Sequence, residues 1–281
     1  MVKAKAYWAY GRYAALSILL HRPWHYINKI LATESAFALL EQTIRQQQQQ
    51  QQHTNLINKI KEKLHIAANN KEISDIIGES TNYNNVSNHQ GIAVLTQCIK
   101  QPSLADVLKE NTDNKANNKS PHTGDRIIIL DKITDSGNIG AIIRTASAFS
   151  IKNIVCAKHN APTENSTIIK AAAGTFDLVN FVHVPNISDA IHKLKTAGYW
   201  IIGLDGATDN PDIEYATSMY KNDHIALVLG CENKGISRLV KKHCDLLVKV
   251  KMDPLWQGDT AVCDSLNVSN AAAISMYLFT K

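Results

Sequence analysis

Cysteine is scarce, with five residues in 281 (Cys98, Cys156, Cys231, Cys244 and Cys263), widely scattered and without a C-x-x-C pair. That pattern excludes a disulfide framework and offers no zinc signature, so no metal is expected. No apolar run approaches the ~18 residues a membrane-spanning helix needs, so no membrane association is expected. The opening "MVKAKAYWAYGRYAALSILL" pairs lysines with an apolar patch, but Tyr10, Gly11 and Arg12 interrupt it and no small-residue cleavage site follows. It is a poor secretory signal, and a reduced cytoplasm is the compartment these absences predict. There is also no G-x-G-x-x-G, which leaves a dinucleotide fingerprint without support.

What is present suits a folded chain of one large or two ordinary domains. Hydrophobic residues make up 44% and charged residues 20%, enough for a packed core. A net charge of +5 and a pI near 8.8 lean towards a polyanionic partner without establishing one.

Two structured regions are expected, at 1–97 and 126–281, with a flexible linker at 98–125. In the first, "RYAALSILL" reads as a helix and "YINKILAT" as a strand. "ESAFALLEQTI" reads as a helix presenting Ala36, Leu39, Leu40 and Ile44 on one face. Glutamines 46–52 either extend that helix or form a surface loop. "NHQGIAVLT" closes the region with a strand, and His89 shapes the turn before it. The seam "KENTDNKANNKSPHTGD" has no periodicity, hence the linker.

From Arg126 onwards β-rich runs alternate with helical patterns: "RIIILDKI", "KNIVCA", "VNFVHV", "YWIIGLD", "HIALVLG" and "DLLVKV". One intervening helix, "SDAIHKLKTAG", takes Ser188 as N-cap and Gly198 just past its end. Such alternation predicts an α/β domain with a mostly parallel sheet, whose ligands bind beyond the carboxyl ends of the strands.

Three loops at those ends could carry chemistry. In "DSGNIGAIIRTA", Asn138 and Gly140 sit at a helix entrance and Arg144 lies roughly 1.7 turns further on. Either this is an N-cap with a surface arginine, or a helix N-terminus and a guanidinium cradle a phosphate. "LVLGCENKGIS" has the G-x-x-x-x-G spacing of a phosphate loop, but Ile236 and Ser237 replace the lysine and hydroxyl that such a loop needs. Glu232 is what remains there, as a helix cap or a functional carboxylate. In "SLNVSNAAAI", Ser265, Asn267, Ser269 and Asn270 crowd a helix entrance that one cap would satisfy. Lys234, Arg238, Lys241 and Lys242 cluster around one helix, as a solvated face or as phosphate contacts for RNA.

Taken in order, N-x-G-x-x-x-R (Asn138, Gly140, Arg144), "LVLGCENKG" and "SLNVSNAAAI" resemble the SpoU (TrmH) family of RNA 2′-O-ribose methyltransferases, part of the SPOUT superfamily. The likeness covers 126–281. "AYGRYAAL" and "NHQGIAVL" are similar to the two ends of the small α/β substrate-binding domain of the branch that methylates a guanosine of large-subunit (23S) ribosomal RNA. The resemblance implies a deep trefoil knot, a homodimer with its active site near the subunit interface, and S-adenosylmethionine as cofactor. Carried over, Gly230, Val250, Met252 and Leu266 hold the cofactor, and Asn138, Arg144, Glu232, Ser265 and Asn267 form the catalytic set. Arg144, with a pKa above ~12, suits phosphate binding better than proton abstraction. Glu232 either orients Arg144 or accepts the proton. Ser269 or Asn270 is left for ordinary helix duties.

The sequence departs from the family pattern at Lys251, where proline is usual, and in a long loop, 253–264, containing Trp256. Two other readings stand beside the leading one. One is a tRNA substrate, disfavoured by the front domain; the other is a catalytically silent RNA-binding protein, disfavoured by the intact motif set.

Overall fold

In the computed structural model the described residues are 6–47, 50–81, 88–116, 124–159, 162–207, 209–220, 222–232, 234–252 and 265–281. The chain forms two units: Met1–Lys100 with Thr163–Asp177, and Gln101–Pro162 with Leu178–Lys281.

The first unit opens with β1 (Ala6–Tyr10), α1 (Arg12–His21), β2 (Ile27–Thr33), α2 (Glu34–Gln47), α3 (Gln50–Lys63), β3 (Leu64–Ala67), α4 (Asn70–Thr81) and β4 (Ile92–Gln97). Its sheet runs β1-β4-β2-β3, with β4 antiparallel to both neighbours and β2 parallel to β3. A parallel pair needs a helical crossover. Here α2 and α3 supply it, and the glutamine run falls at the end of one and the start of the other. On α2, Leu40 and Ile44 are buried as expected, but Leu39 is 40% exposed. It lies ~100° around the helix from Leu40, off the inward stripe. His89 does shape its turn: Nδ1 accepts from the Gly91 N–H, while Nε2 meets the Asn70 carbonyl and the Ser74 hydroxyl. Gln90 and Gly91 carry φ of +54° and +76°.

The second unit starts with α5 (Leu104–Ala116), inside the stretch expected to be a linker. Leu104 and Val107 are buried in the core, so residues 104–116 are an ordered element. Their polar majority hides a short apolar stripe. Then come β5 (Arg126–Asp131), α6 (Ser136–Ala148) and β6 (Asn153–Ala157).

After Pro162 the chain enters the first unit, although the sequence placed all of 126–281 in one domain. There α7 (Ser166–Ala171) is capped by Asn165 and tied to β1 by a Ser166 hydroxyl bond to the Trp8 carbonyl. The Arg22 guanidinium, fully buried, bridges Glu164 at 2.8 Å and Asp177 at 2.6 Å, and the Tyr7 hydroxyl also donates to Glu164.

Back in the second unit follow β7 (Asn180–Val184), α8 (Ile187–Thr196), β8 (Tyr199–Leu204), α9 (Ile213–Tyr220), β9 (His224–Gly230), α10 (Arg238–His243), β10 (Leu246–Val248) and α11 (Val268–Thr280). The N-cap of α8 is Asn186, which accepts from the Ser188 N–H, so Ser188 sits within the first turn. Gly198 follows the helix with φ +87°, as its C′ position requires.

Six parallel strands stack in the order β10-β8-β9-β5-β6-β7. Every residue of β5 is buried, because helices cover both faces of a parallel sheet. Ile127 and Ile129 face the core that holds α5, α8 and α10 residues. On the other side α11 packs against α6 and α9. From β5 the chain steps outward to β6 and β7, while β9 lies on the opposite flank of β5. That reversal makes the carboxyl ends of β5 and β9 a topological switch point, where open α/β sheets place their ligands.

Candidate active site

Asp131 ends β5 and Gly230 ends β9, directly paired in register. Beyond Gly230 the chain folds back tightly. The Gly235 N–H donates to the Cys231 carbonyl at 2.8 Å, and Gly235 has φ +61°. A Cβ at Gly230 would lie 2.2 Å from the Gly235 carbonyl carbon and the Ile236 nitrogen. Both glycines of the G-x-x-x-x-G spacing therefore serve this reversed turn, which lifts Glu232 at its tip. Buried Asp131 anchors the far side by accepting from the Ser237 N–H at 2.6 Å. The sequence reading missed Asp131, although its place at the end of "RIIILD" was a usable signal.

The helix entrance after β5 is capped by Asp135, whose carboxylate accepts from the Asn138 N–H at 2.7 Å. Asn138 is thus not the cap, and its side chain is free to turn outward. Its Nδ2 donates to Glu232 Oε1 at 3.1 Å. Asn267 arrives from the start of α11. Its Nδ2 donates to Glu232 Oε1 at 2.5 Å and to Asn138 Oδ1 at 3.0 Å. Three motif residues, 129 positions apart at the extremes, form one hydrogen-bonded cluster.

Asn267 is also the N-cap of α11. Its Oδ1 accepts from the Ser269 N–H at 2.9 Å and from the Ser269 hydroxyl at 2.5 Å. One amide performs both tasks, because its oxygen caps while its nitrogen faces the cluster.

Beside the cluster lies a cleft of about 420 Å³. Its lining includes Gly230, Val250, Met252 and Leu266, together with Glu232 and Ser265. Leu229, Val268 and Ala271 give it apolar walls, and Asp205, Asp212, Lys249 and Lys251 add charge at its edges. Asp205 and Asp212 were not singled out by sequence.

The structure does not bring every motif residue together. Arg144 is exposed on α6 and makes no side-chain bond among the described residues, so it is not oriented by Glu232 within the chain. Lys234, Arg238 and Lys242 are exposed around α10, whereas Lys241 is engaged by Asp205 at 2.5 Å. Trp256 and the 253–264 loop lie outside the described residues. Among the described residues no group of three or more His, Cys, Asp or Glu is placed to hold a metal, and no helix is long and apolar enough to cross a membrane.

Comparison with known proteins gives this geometry a context. The family model of the SpoU rRNA methylases matches residues 125–277. An uncharacterized tRNA/rRNA methyltransferase of Synechocystis sp. is 37% identical over 194 residues, covering 68% of this chain and 45% of that protein. The chain thus spans under half the length of that relative. Among solved structures, the SpoU methyltransferase AviRb from Streptomyces viridochromogenes, in complex with the cofactor AdoMet, matches with a TM-score of 0.64. It is 18% identical, and the match covers 98% of this chain and 89% of that one. An RNA 2′-O ribose methyltransferase matches with a TM-score of 0.62 and 14% identity, covering 98% and 88%. These two show a shared fold. With the family model matching more than half of its residues, the chain belongs to the SpoU (TrmH) methyltransferase family.

Proposed function

We propose that the chain is an S-adenosylmethionine-dependent RNA methyltransferase that modifies a ribose 2′-hydroxyl, its substrate a guanosine of large-subunit ribosomal RNA. One observation carries the reading. A carboxylate at the mouth of a cleft is held by two amides through one oxygen, leaving Glu232 Oε2 with no hydrogen-bond partner among the described residues.

The cleft suits the cofactor. Its apolar walls match an adenine, the strand-end backbone at Gly230 and Val250 offers hydrogen bonds, and carboxylates and lysines at the edge match a zwitterionic methionine moiety. Gly230, Val250, Met252 and Leu266 would hold it. When bound, the cofactor supplies a methyl carbon already activated by its sulfonium, so the protein's task is alignment and proton handling.

Asn138 and Asn267 fix Glu232, and its free oxygen is available to accept the proton of the attacking hydroxyl. Pre-positioning of this kind is worth up to ~7–11 kcal/mol in favourable cases. Ser265, on the cleft wall, can hydrogen-bond the ribose. Arg144 binds the adjoining phosphate and steadies developing alkoxide charge. That it makes no side-chain bond to the Asn138–Glu232–Asn267 cluster among the described residues supports a homodimer in which a second copy completes each site. The C-terminal segment, with α11 packed on α6, is consistent with the proposed trefoil knot. The four-stranded unit ahead of the catalytic one supports ribosomal over transfer RNA.

Transfer of labelled methyl to purified ribosomal RNA and to tRNA, followed by nucleotide mapping, tests the reading. Label on the ribose of a ribosomal guanosine is expected. Label on a base, or on tRNA alone, would refute it.

A further inference from the structure

Two of the cation–ring pairs in the first unit surround the same turn. The Arg12 guanidinium sits 5.5 Å from the centroid of the Tyr13 ring, and the Lys170 ammonium 5.4 Å from that of Tyr10. Tyr10 ends β1, Arg12 and Tyr13 begin α1, and Lys170 belongs to α7, which reaches this unit only through the 163–177 excursion. The approach is close: a Cβ at Gly174, just after α7, would come within 2.5 Å of the Tyr13 carbonyl oxygen. Tyr13 is 60% exposed, the most exposed large hydrophobic side chain among the described residues. Neither α1 nor α7 has an acidic residue in its first turn.

An exposed ring with one cation against it, three residues from a second ring that carries another, gathers aromatic surface and positive charge around one turn without a fold partner for the Tyr13 ring. It is well suited to an unpaired nucleotide. A base can stack on a ring face, and the flanking cations meet the phosphates on either side of it. An acidic protein segment would use the charges but gain little from the ring.

We infer that Tyr13, Arg12 and Lys170 form a stacking platform for an unpaired nucleotide of the RNA substrate, separate from the methyl-transfer site. The inference rests on the RNA-methyltransferase reading for the identity of its ligand. It also gives the excursion a purpose, because without Thr163–Asp177 the platform would lack Lys170.

Binding of a short, unstructured, fluorescently labelled RNA to the full chain, without cofactor, tests this. Tyr13→Leu is expected to weaken binding roughly 5- to 150-fold, the usual range for losing one base stack, while Tyr13→Trp restores it. Lys170→Gln is expected to lower the slope of log affinity against log salt by about 0.7, the increment for one single-strand phosphate contact. Unchanged melting temperatures would show that all three variants fold. Wild-type affinity in Tyr13→Leu, an unaltered salt slope in Lys170→Gln, or displacement of the RNA by polyglutamate at equal charge concentration would each overturn the platform. Because no methyl donor is present, failure of methyl transfer by the wild-type chain would sink the enzymatic reading and leave this result standing.

Discussion

Asn267 shows how much one side chain can be asked to do. Its oxygen satisfies the first turn of α11, and its nitrogen fixes both Asn138 and Glu232. The crowding of polar residues in "SLNVSN" was legible in the sequence, but the division of labour was not. Capping statistics cannot show that Ser269 donates to Asn267 rather than acting as the cap itself. Substitutions can separate the two tasks. Asn267→Asp keeps a capping oxygen but sets a second carboxylate against Glu232, and Asn267→Ser keeps the cap while removing the amide donors. Hydrogen bonds to a charged group are worth about 1.5–3 kcal/mol. We therefore expect kcat to fall roughly 10- to 150-fold in Asn267→Ser, and at least as far in Asn267→Asp, with melting temperatures close to wild type. A collapse of stability with little effect on kcat would assign Asn267 to the helix alone. His89 presents a different single-residue case. Burial holds its pKa below the ordinary 6.5, opposed in part by its bond to the Asn70 carbonyl. The unfolded chain takes up this proton near pH 6.5 and the folded chain resists it, so stability should decline as pH falls below about 6.5. Thermal melts from pH 7.5 to 5 should show that decline in the wild type and a flatter profile in His89→Gln.

At the scale of elements, the long apolar strands and their alternation with helices announced a parallel α/β sheet, because burial on both faces leaves a strong compositional mark. The failures were of another kind. Helix α5 was hidden because the inward-facing Leu104, Val107 and Leu108 are confined to its first turns and a run of polar residues follows. The 163–177 excursion was hidden because membership of a unit is decided by distant partners, here Arg22, Glu164 and Asp177. Nothing local marks Arg22 as the residue that will meet two carboxylates 142 and 155 positions later. Yet this triad should dominate how firmly α7 is held. Its side chains are 0%, 6% and 4% exposed, so removal of the guanidinium strands two acids away from water. Breaking a buried pair by deleting one partner costs about 3–5 kcal/mol. Urea unfolding of Arg22→Met should show a loss in that range. Part of it should return in the triple variant Arg22→Met, Glu164→Gln, Asp177→Asn, where no buried charge remains. A loss below ~1 kcal/mol, typical of exposed pairs, would mean that water reaches the site.

At the scale of the whole molecule, the question is where Arg144 finds its task. The Asn138–Glu232–Asn267 cluster closes without it, and the guanidinium stands exposed on α6. The neighbouring surface of α11 leaves Ile274 and Tyr277 38% and 48% exposed, with Phe149 6.1 Å from the Tyr277 ring. An apolar face of this kind, on the helix packed against α6, and an arginine of α6 that makes no side-chain bond among the described residues fit the proposed two-fold association, in which each copy lends Arg144 to the other's Glu232. Two-fold symmetry makes this arrangement testable by complementation, because the same pair of residues then meets twice across the interface. Arg144→Ala and Glu232→Gln should each be inactive alone. If every site draws one residue from each copy, a mixed dimer of the two variants contains one doubly defective site and one intact site. Co-expression under two affinity tags, with sequential purification, isolates that dimer. Its methyl transfer should then reach about half the wild-type rate per dimer. If both residues of a site come from one chain, each site in the mixed dimer retains a single defect and the activity stays at the level of the parent variants, which would place Arg144 in the same chain's site after all.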